Sequence, residues 1–218
     1  MSENYPKAYK EGVKDFYGRD FVVSPNVLIP RPETEMMVDT VLNLAGKAYL
    51  PGVKPKPRVL PKDLRILDVG TGSGCIAITL ALELPEAKVT ACDISKKALA
   101  VAKENAKKFD AKVKFVQSNL LDNVDGDFDI VVANLPYVDN EWEWLDYEAL
   151  SHEPRIALFA KNHGLELVYK LIEQVAERKI KHLVLEADPC QHEQIVNFAD
   201  KKGLKLVETR GFALYLSE

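Results

Sequence analysis

The sequence predicts an α/β fold built around one mostly parallel sheet. Three observations carry that expectation. From residue 64 onward, short runs rich in Val, Ile and Leu alternate with longer runs of helical spacing. Strands that alternate with helices in this way form a mostly parallel sheet covered on both faces. The last two runs, "LKLVET" and "FALYLS", are separated only by Arg210 and Gly211, too little chain for a crossover, so they pair antiparallel.

The elements follow in order. Residues 13–30, "VKDFYGRDFVVSPNVLIP", mix β-branched and aromatic residues with Gly18, Pro25 and Asn26, and read as a β-hairpin or short strands. "RPETEMMVDTVLNLAG" reads as a helix. Pro32 with Glu33 and Glu35 suits its first turn, and Gly46 suits its stop. Residues 49–62 hold four prolines and read as a loop. Then "RILDVG", "KVTACD", "KVKFVQ", "DIVVAN", "HLVLEA", "LKLVET" and "FALYLS" supply seven strands. "CIAITLALEL", "KKALAVAKENAKKF", "GLELVYKLIEQVAERK" and "CQHEQIVNFADKKG" supply helices between them. The domain reading is therefore residues 1–48 as hairpin and helix packed on the main domain, 49–63 as a proline-rich loop, and 64–218 as the main α/β domain.

Bulk properties narrow the function. The chain has 218 residues, enough for one substantial core. Acidic residues outnumber basic ones 33 to 29, which argues against a large nucleic-acid footprint. The first eighteen residues lack the apolar core of a signal peptide, and no run approaches the ~18 apolar residues of a membrane span. Cys75, Cys92 and Cys190 are widely spaced and form no CxxC, so neither metal ligation nor a disulfide framework is expected, and a reducing cytoplasm is.

"LDVGTGSGC", from Leu67 to Cys75, joins the first sheet strand to its helix. Gly70, Gly72 and Gly74 let backbone approach a ligand, and the following helix N-terminus favours an anionic group. A dinucleotide fingerprint needs a glycine where Cys75 stands, so a pyrophosphate is disfavoured. The spacing suits S-adenosylmethionine (SAM), whose amino-acid end carries a carboxylate. Thr71 and Ser73 complete that loop. Asp93 ends the next strand, where a carboxylate accepts both ribose hydroxyls; capping the following helix is a rival role, for which Ser95 competes. Asp68 either orients the loop amides or meets the ligand's ammonium group. Asn119 and Leu120, after the third strand, are placed to flank an adenine.

"DIVVANLPYVDN" puts Asn134, Leu135, Pro136 and Tyr137 at the end of the fourth strand, which should neighbour the first. Asn134 would then sit beside both the cofactor and the substrate. Methyl transfer to a planar NH2 needs acceptors on its hydrogens, because the nitrogen lone pair is delocalised. Asn134 offers a side-chain oxygen, Leu135 a backbone carbonyl, Pro136 a stiff turn, and Tyr137 a ring to pack on a planar group. A carboxamide or the exocyclic amine of a base fits this arrangement.

These residues together resemble the HemK/PrmC family, SAM-dependent methyltransferases that modify the glutamine of the Gly-Gly-Gln motif in peptide-chain release factors. "NVLIPRPETE", "ILDVGTGSGCIAITLA", "HEPRIALFA" and "LEADPCQHEQI" carry the likeness, from about Phe16 to Glu193. It implies a class I SAM-dependent methyltransferase fold, Rossmann-like, whose mostly parallel seven-stranded sheet has an antiparallel last strand and follows an N-terminal β-hairpin and helix. It implies SAM on Gly70 to Gly74 and Asp93, with Leu120 nearby, and the substrate glutamine on Asn134 to Tyr137. Arg31, Pro32 and Glu33 would lie near the site mouth or shape the corner between hairpin and helix. The implied partner is a release factor; no membrane is expected, and nucleic acid only indirectly through the ribosome. The family usually reads Asn-Pro-Pro-Tyr where Leu135 stands, usually has a helical N-terminal domain, and has an acidic residue at His163. Two other readings remain: an adenine-N6 methyltransferase on RNA or DNA, which shares Asn-Leu-Pro-Tyr, and a non-catalytic SAM-binding protein with Trp142 and Trp144 as a partner surface. The four histidines are expected to do no chemistry.

Overall fold

In the computed structural model, which describes residues 5–47 and 63–218, the chain opens with a short helix, α1 (Lys7–Glu11). A hairpin follows, β1 (Val13–Phe16) and β2 (Arg19–Val22). Its loop is Tyr17 and Gly18, both at positive φ (55° and 69°), the geometry that matches the twist of a two-residue hairpin. Tyr17 bears Cβ strain there, and helix α2 (Glu35–Leu44) holds it: the Tyr17 amide donates to Glu35 Oε1 at 2.7 Å and its hydroxyl to Asp39 Oδ1 at 2.8 Å. The strands stop at Val22, short of the expected residue 30, because its partner Val13 is the first residue of β1 and helix α1 lies before it. A 3₁₀ turn at Pro32–Thr34 precedes α2, so the helix proper begins three residues after Pro32. The proline-rich reading at 49–62 lies outside the described residues.

The remaining elements are β3 (Arg65–Val69), α3 (Cys75–Glu83), β4 (Lys88–Asp93), α4 (Lys96–Lys108), β5 (Val113–Gln117) and β6 (Ile130–Ala133). After them come α5 (Tyr147–Leu150), α6 (Arg155–Leu158), α7 (Glu166–Glu177), β7 (His182–Glu186), α8 (His192–Lys201), β8 (Lys205–Arg210) and β9 (Ala213–Ser217). The seven strands β3 to β9 form one sheet in the order β5-β4-β3-β6-β7-β9-β8. Pairings from β5 through β7 are parallel, and β9 runs antiparallel to both neighbours, as the sequence predicts. The last strand returns between β7 and β8, as an antiparallel hairpin partner must if it also pairs with β7. The short helices α5 and α6 fall in a stretch that carries no helical spacing long enough to read.

Side chains alternate across the sheet and build two cores. Ile66, Val89, Ile130, Val132 and Val184 face α2, α3 and the hairpin rings Phe16 and Phe21. Leu67, Val131, Leu183, Leu185 and Leu214 face α7 and α8 through Val168, Leu171, Ile172 and Ile195. A smaller cluster packs Tyr9, Val23, Val27 and Ile29 on Ala98 and Val101 of α4. No helix among the described residues is long and apolar enough to cross a membrane.

One polar side chain ties the hairpin to the sheet domain. Asn105 of α4 is fully buried; its Oδ1 accepts from the Val22 amide at 2.7 Å, and its Nδ2 donates to the carbonyls of Val22 and Ser73, each at 2.9 Å. Ser73 belongs to the glycine loop, so α4 fixes loop and hairpin together. Removing the amide strands a buried N–H and two carbonyls. Asn105→Ala should destabilise the fold by ~2–4 kcal/mol in urea denaturation, without a change in slope.

Candidate active site

Chain direction across the sheet creates the site. From β3 the chain crosses to β4 on one side, while β6 lies on the other, in register from Ile66↔Ile130 to Val69↔Ala133. Carboxyl ends of strands at such a switch point open a crevice between their following loops. Here the loops are the glycine loop after β3 and the Asn-Leu-Pro-Tyr corner after β6.

The glycine loop hangs on the end of β4, with the Gly70 and Thr71 amides donating to the Cys92 carbonyl at 2.9 and 3.0 Å. Its glycines differ in purpose. A Cβ on Gly72 would meet nothing closer than 4.0 Å, so that residue borders open space. A Cβ on Gly74 would strike Ile78 Cδ1 at 2.8 Å and Ala102 Cβ at 3.2 Å, so Gly74 serves the packing of α3 on α4 rather than ligand approach. Asp93 holds the loop from the end of β4: Oδ2 accepts from the Gly72 amide at 2.9 Å and Oδ1 from the Ser95 amide at 2.8 Å. Burial raises its pKa against those bonds. Ser95 is the cap of α4, accepting from the Ala98 amide at 3.2 Å. Asp68 lies beneath the loop, fully buried and off the cleft wall. Its Oδ2 accepts from Thr71 Oγ1 at 2.6 Å and the Ala77 amide at 3.2 Å, while Oδ1 is buried without a hydrogen-bond partner among the described residues. Of its two anticipated roles, this geometry displays loop orientation.

The corner after β6 is braced from three sides. Leu135 is buried, and its Cδ2 lies 3.2 Å from where a Gly70 Cβ would stand, so the leucine side chain closes over the glycine loop. The Tyr137 carbonyl accepts from Gln191 Nε2 at 2.8 Å, and the same nitrogen donates to the His163 carbonyl at 2.8 Å. Gly164 passes so close that a Cβ there would lie 1.9 Å from the Tyr137 carbonyl oxygen. The departure at His163 gains an account: its Nδ1 bonds Asp139 Oδ2 at 2.8 Å, just beyond the corner. Val138 continues into a bridge with Phe159, pairing its amide with the Leu158 carbonyl at 2.9 Å. Tyr137 is half-buried off the cleft wall; its hydroxyl donates to Glu186 Oε1 at 3.2 Å, and burial with the Glu186 charge raises its pKa. Asn134 Nδ2 donates to Thr34 Oγ1 at 3.1 Å.

Two distant motifs meet at the mouth. Glu153 is buried, pairs with the Arg31 guanidinium, and accepts from the Ile29 amide at 3.0 Å. The segment before α2 and the Glu-Pro segment before α6 are thus locked together across more than a hundred residues. Between them and the loops lies a cleft of about 310 Å³ lined by Gly70, Thr71, Gly72, Ser73, Asp93, Asn119, Leu120, Asn134, Leu135 and Pro136. Arg31 and Thr34 also line it, with the half-exposed Ile94 and the exposed Ile156 at its edge. Pro32 and Glu33 are not on its wall, and Gly74 lies behind it. Leu120 holds φ at 48°, which turns the chain after β5 toward the cleft; Asn119 bonds Asp122 Oδ2 at 3.2 Å within that turn. Trp142 and Trp144 stack on each other outside the cleft, centroids 5.1 Å apart. Sequence reasoning missed Thr34, Glu153, Glu186 and Gln191. Glu186 had a signal: a carboxylate closing an otherwise apolar strand, "HLVLEA".

The sheet order, the glycine loop and the strand-end corner are those of the Rossmann-like α/β fold of class I methyltransferases. Comparisons agree. The family described as "Methyltransferase small domain" matches residues 55–149. A methyltransferase structure from Pyrococcus furiosus superposes with a TM-score of 0.61 at 18% identity, over 92% of this chain and 87% of that one, a likeness of fold. The release factor glutamine methyltransferase of Koribacter versatilis is 44% identical over 177 residues, 79% of this chain. The chain spans 58% of that relative's length. The release factor glutamine methyltransferase of Flavobacterium psychrophilum is 37% identical over 213 residues, 94% of this chain and 70% of the relative. The chain belongs to the release factor glutamine methyltransferase family.

Burial pushes the Asp68 carboxyl up to about 7, far above an unfolded aspartate near 3.9. Below pH ~4 folded and unfolded chains both keep the proton. Between there and 7 only the unfolded chain releases it, so stability falls as pH rises through that window, by up to ~4 kcal/mol. Asp68→Asn, which preserves an acceptor for Thr71, should flatten this slope in denaturant titrations at pH 4, 5.5 and 7.

Proposed function

We propose that this protein transfers a methyl group from SAM to the side-chain nitrogen of the glutamine in the Gly-Gly-Gln motif of a peptide-chain release factor. The observation that carries the reading is the placement of Asn134 and Leu135 on the same cleft wall as the open Gly72 and Asp93.

The residues fit the cofactor. Gly72 leaves space where any larger residue would project, and Asp93 offers carboxylate oxygens beside it for a ribose. Leu120 and Ile94 give an apolar slot, and Asn119 a polar edge, suited to an adenine. SAM bound there supplies an electrophilic methyl on a sulfonium. The chain's own work is on the substrate amide. Its NH2 donates to Asn134 Oδ1 and to the Leu135 carbonyl, which orients the nitrogen lone pair and balances the positive charge that grows on nitrogen. Pro136 stiffens the corner, and Gln191 with Gly164 holds the Tyr137 carbonyl so that the corner stays shut. No general base precedes attack, because the proton leaves a cationic nitrogen and passes to water. Tyr137, off the cleft wall with its hydroxyl bound to Glu186, supports the corner.

Glutamine is favoured over adenine by the overall acidic balance and by the acidic run at 139–148, with Asp139, Glu141, Glu143, Asp146 and Glu148 beside the corner; a phosphate backbone would be repelled there. The protein is expected in the cytoplasm, where its substrate works. Incubation of a release factor with the protein and SAM should add ~14 Da to the Gly-Gly-Gln peptide in mass spectrometry, a methyl replacing a hydrogen at the oriented nitrogen. An unmodified peptide, with methyl transfer to adenine in RNA instead, would overturn the reading. Asn134→Ala should lower kcat by ~10²–10³ while SAM still binds in calorimetry. Asp93→Ala should weaken SAM binding first, by about tenfold or more for a lost charged hydrogen-bond partner.

A further inference from the structure

One buried acid has no part in that chemistry. Glu186 ends β7, one residue beyond the Ala133↔Leu185 pair, and so stands beside Asn134 at the end of β6. Its side chain is buried; Oε1 accepts from the Tyr137 hydroxyl, and Oε2 has no hydrogen-bond partner among the described residues. A carboxylate so placed is costly to keep unless its charge serves a neighbour. Burial raises the pKa of its carboxyl, and hydrogen bonding from Thr34, Tyr137 and Asn134, all close to it, works against that rise.

Thr34 connects the acid to the site. Its Oγ1 accepts from Asn134 Nδ2 at 3.1 Å, which leaves the hydroxyl's single proton for another acceptor, and Glu186 is beside it. We propose that Glu186, acting through the Thr34 hydroxyl, is the positioning residue that decides which end of the Asn134 amide faces the substrate. The two ends of an amide are nearly equal in shape and opposite in hydrogen bonding. A carboxylate only accepts, so Thr34 must donate to it and receive from Asn134. The Asn134 NH2 then points at Thr34 and its oxygen is left for the substrate NH2. A donor at position 186 permits the reverse order, in which Thr34 donates to the Asn134 oxygen and the NH2 faces another NH2.

The relay rests on the proposed role of Asn134, and the experiment separates the two. Steady-state methylation of a release factor is measured for the wild type, E186Q, T34V, T34S and the E186Q/T34V double variant, with SAM affinity from calorimetry. E186Q keeps size and hydrogen-bonding capacity but supplies a donor. It should lower kcat by about 10–100-fold, the range of one misaligned transition-state contact, with both KM values and SAM affinity unchanged. T34V should fall as far, T34S should recover most of the rate, and the double variant should be no slower than the slower single one, because both break one relay. Wild-type kcat in E186Q, multiplicative losses in the double variant, or a loss seen only in KM would overturn the relay. Should E186Q not fold, T34V against T34S decides. Should the wild type leave release factors unmodified, the proposed function fails and the relay is read by NMR. The Asn134 side-chain amide resonances must then shift in E186Q and T34V but not in T34S, and unmoved resonances overturn it.

Discussion

Everything at the cleft depends on the parallel pairing of β3 with β6. That pairing brings the ends of two strands separated by sixty residues of chain side by side, so that the glycine loop and the Asn-Leu-Pro-Tyr corner line one cleft. Register matters as much as adjacency. Val69 lies opposite Ala133, and Leu135 Cδ2 comes within 3.2 Å of where a Cβ on Gly70 would stand. A slip of one residue would turn Asp68 toward the opposite face and open both cores.

Around that pairing the molecule spends its buried polar groups on geometry. Asp68 holds Thr71, Asp93 holds Gly72, Asn105 holds Ser73, and Gln191 holds Tyr137. Each restrains a loop from a different element, so the loops are shaped before any ligand arrives. Preorganisation of this kind is what electrostatic catalysis requires, since acceptors that must first move into place give up what they would contribute. Glu153 extends the same logic to the mouth, where it clamps the segment preceding α2 through both the Ile29 amide and Arg31.

Much of this is legible in the sequence, and the limits have physical causes. Seven apolar runs, a glycine loop and a polar corner each announce themselves locally, so the sheet, its antiparallel last strand and the wall of the cleft can be read directly. The supports cannot. Thr34 lies a hundred residues from Asn134, and Gln191 fifty-four from Tyr137; nothing in either neighbourhood marks the contact. Gly74 misleads for the opposite reason, since its place in a glycine pattern suggests ligand approach and its surroundings show helix packing. His163 departs from the family pattern without explanation until its bond to Asp139 marks it as a tether of the chain beyond the corner. The hairpin ends sooner than its composition suggests because β1 begins only at Val13, the partner of Val22, and Val23, Val27 and Ile29 then pack on α4.

The closeness of Leu135 to Gly70, which leaves too little room for a Cβ between them, makes the glycine loop and the strand-end corner a single interlocked part. Neither can be exchanged alone with a homologue's: a bulkier residue at 70 would wedge the corner outward, and a smaller one at 135 would leave the loop without its roof. Recombination among relatives, natural or in the laboratory, must therefore carry the two segments as matched halves, although the chain writes them sixty-five positions apart.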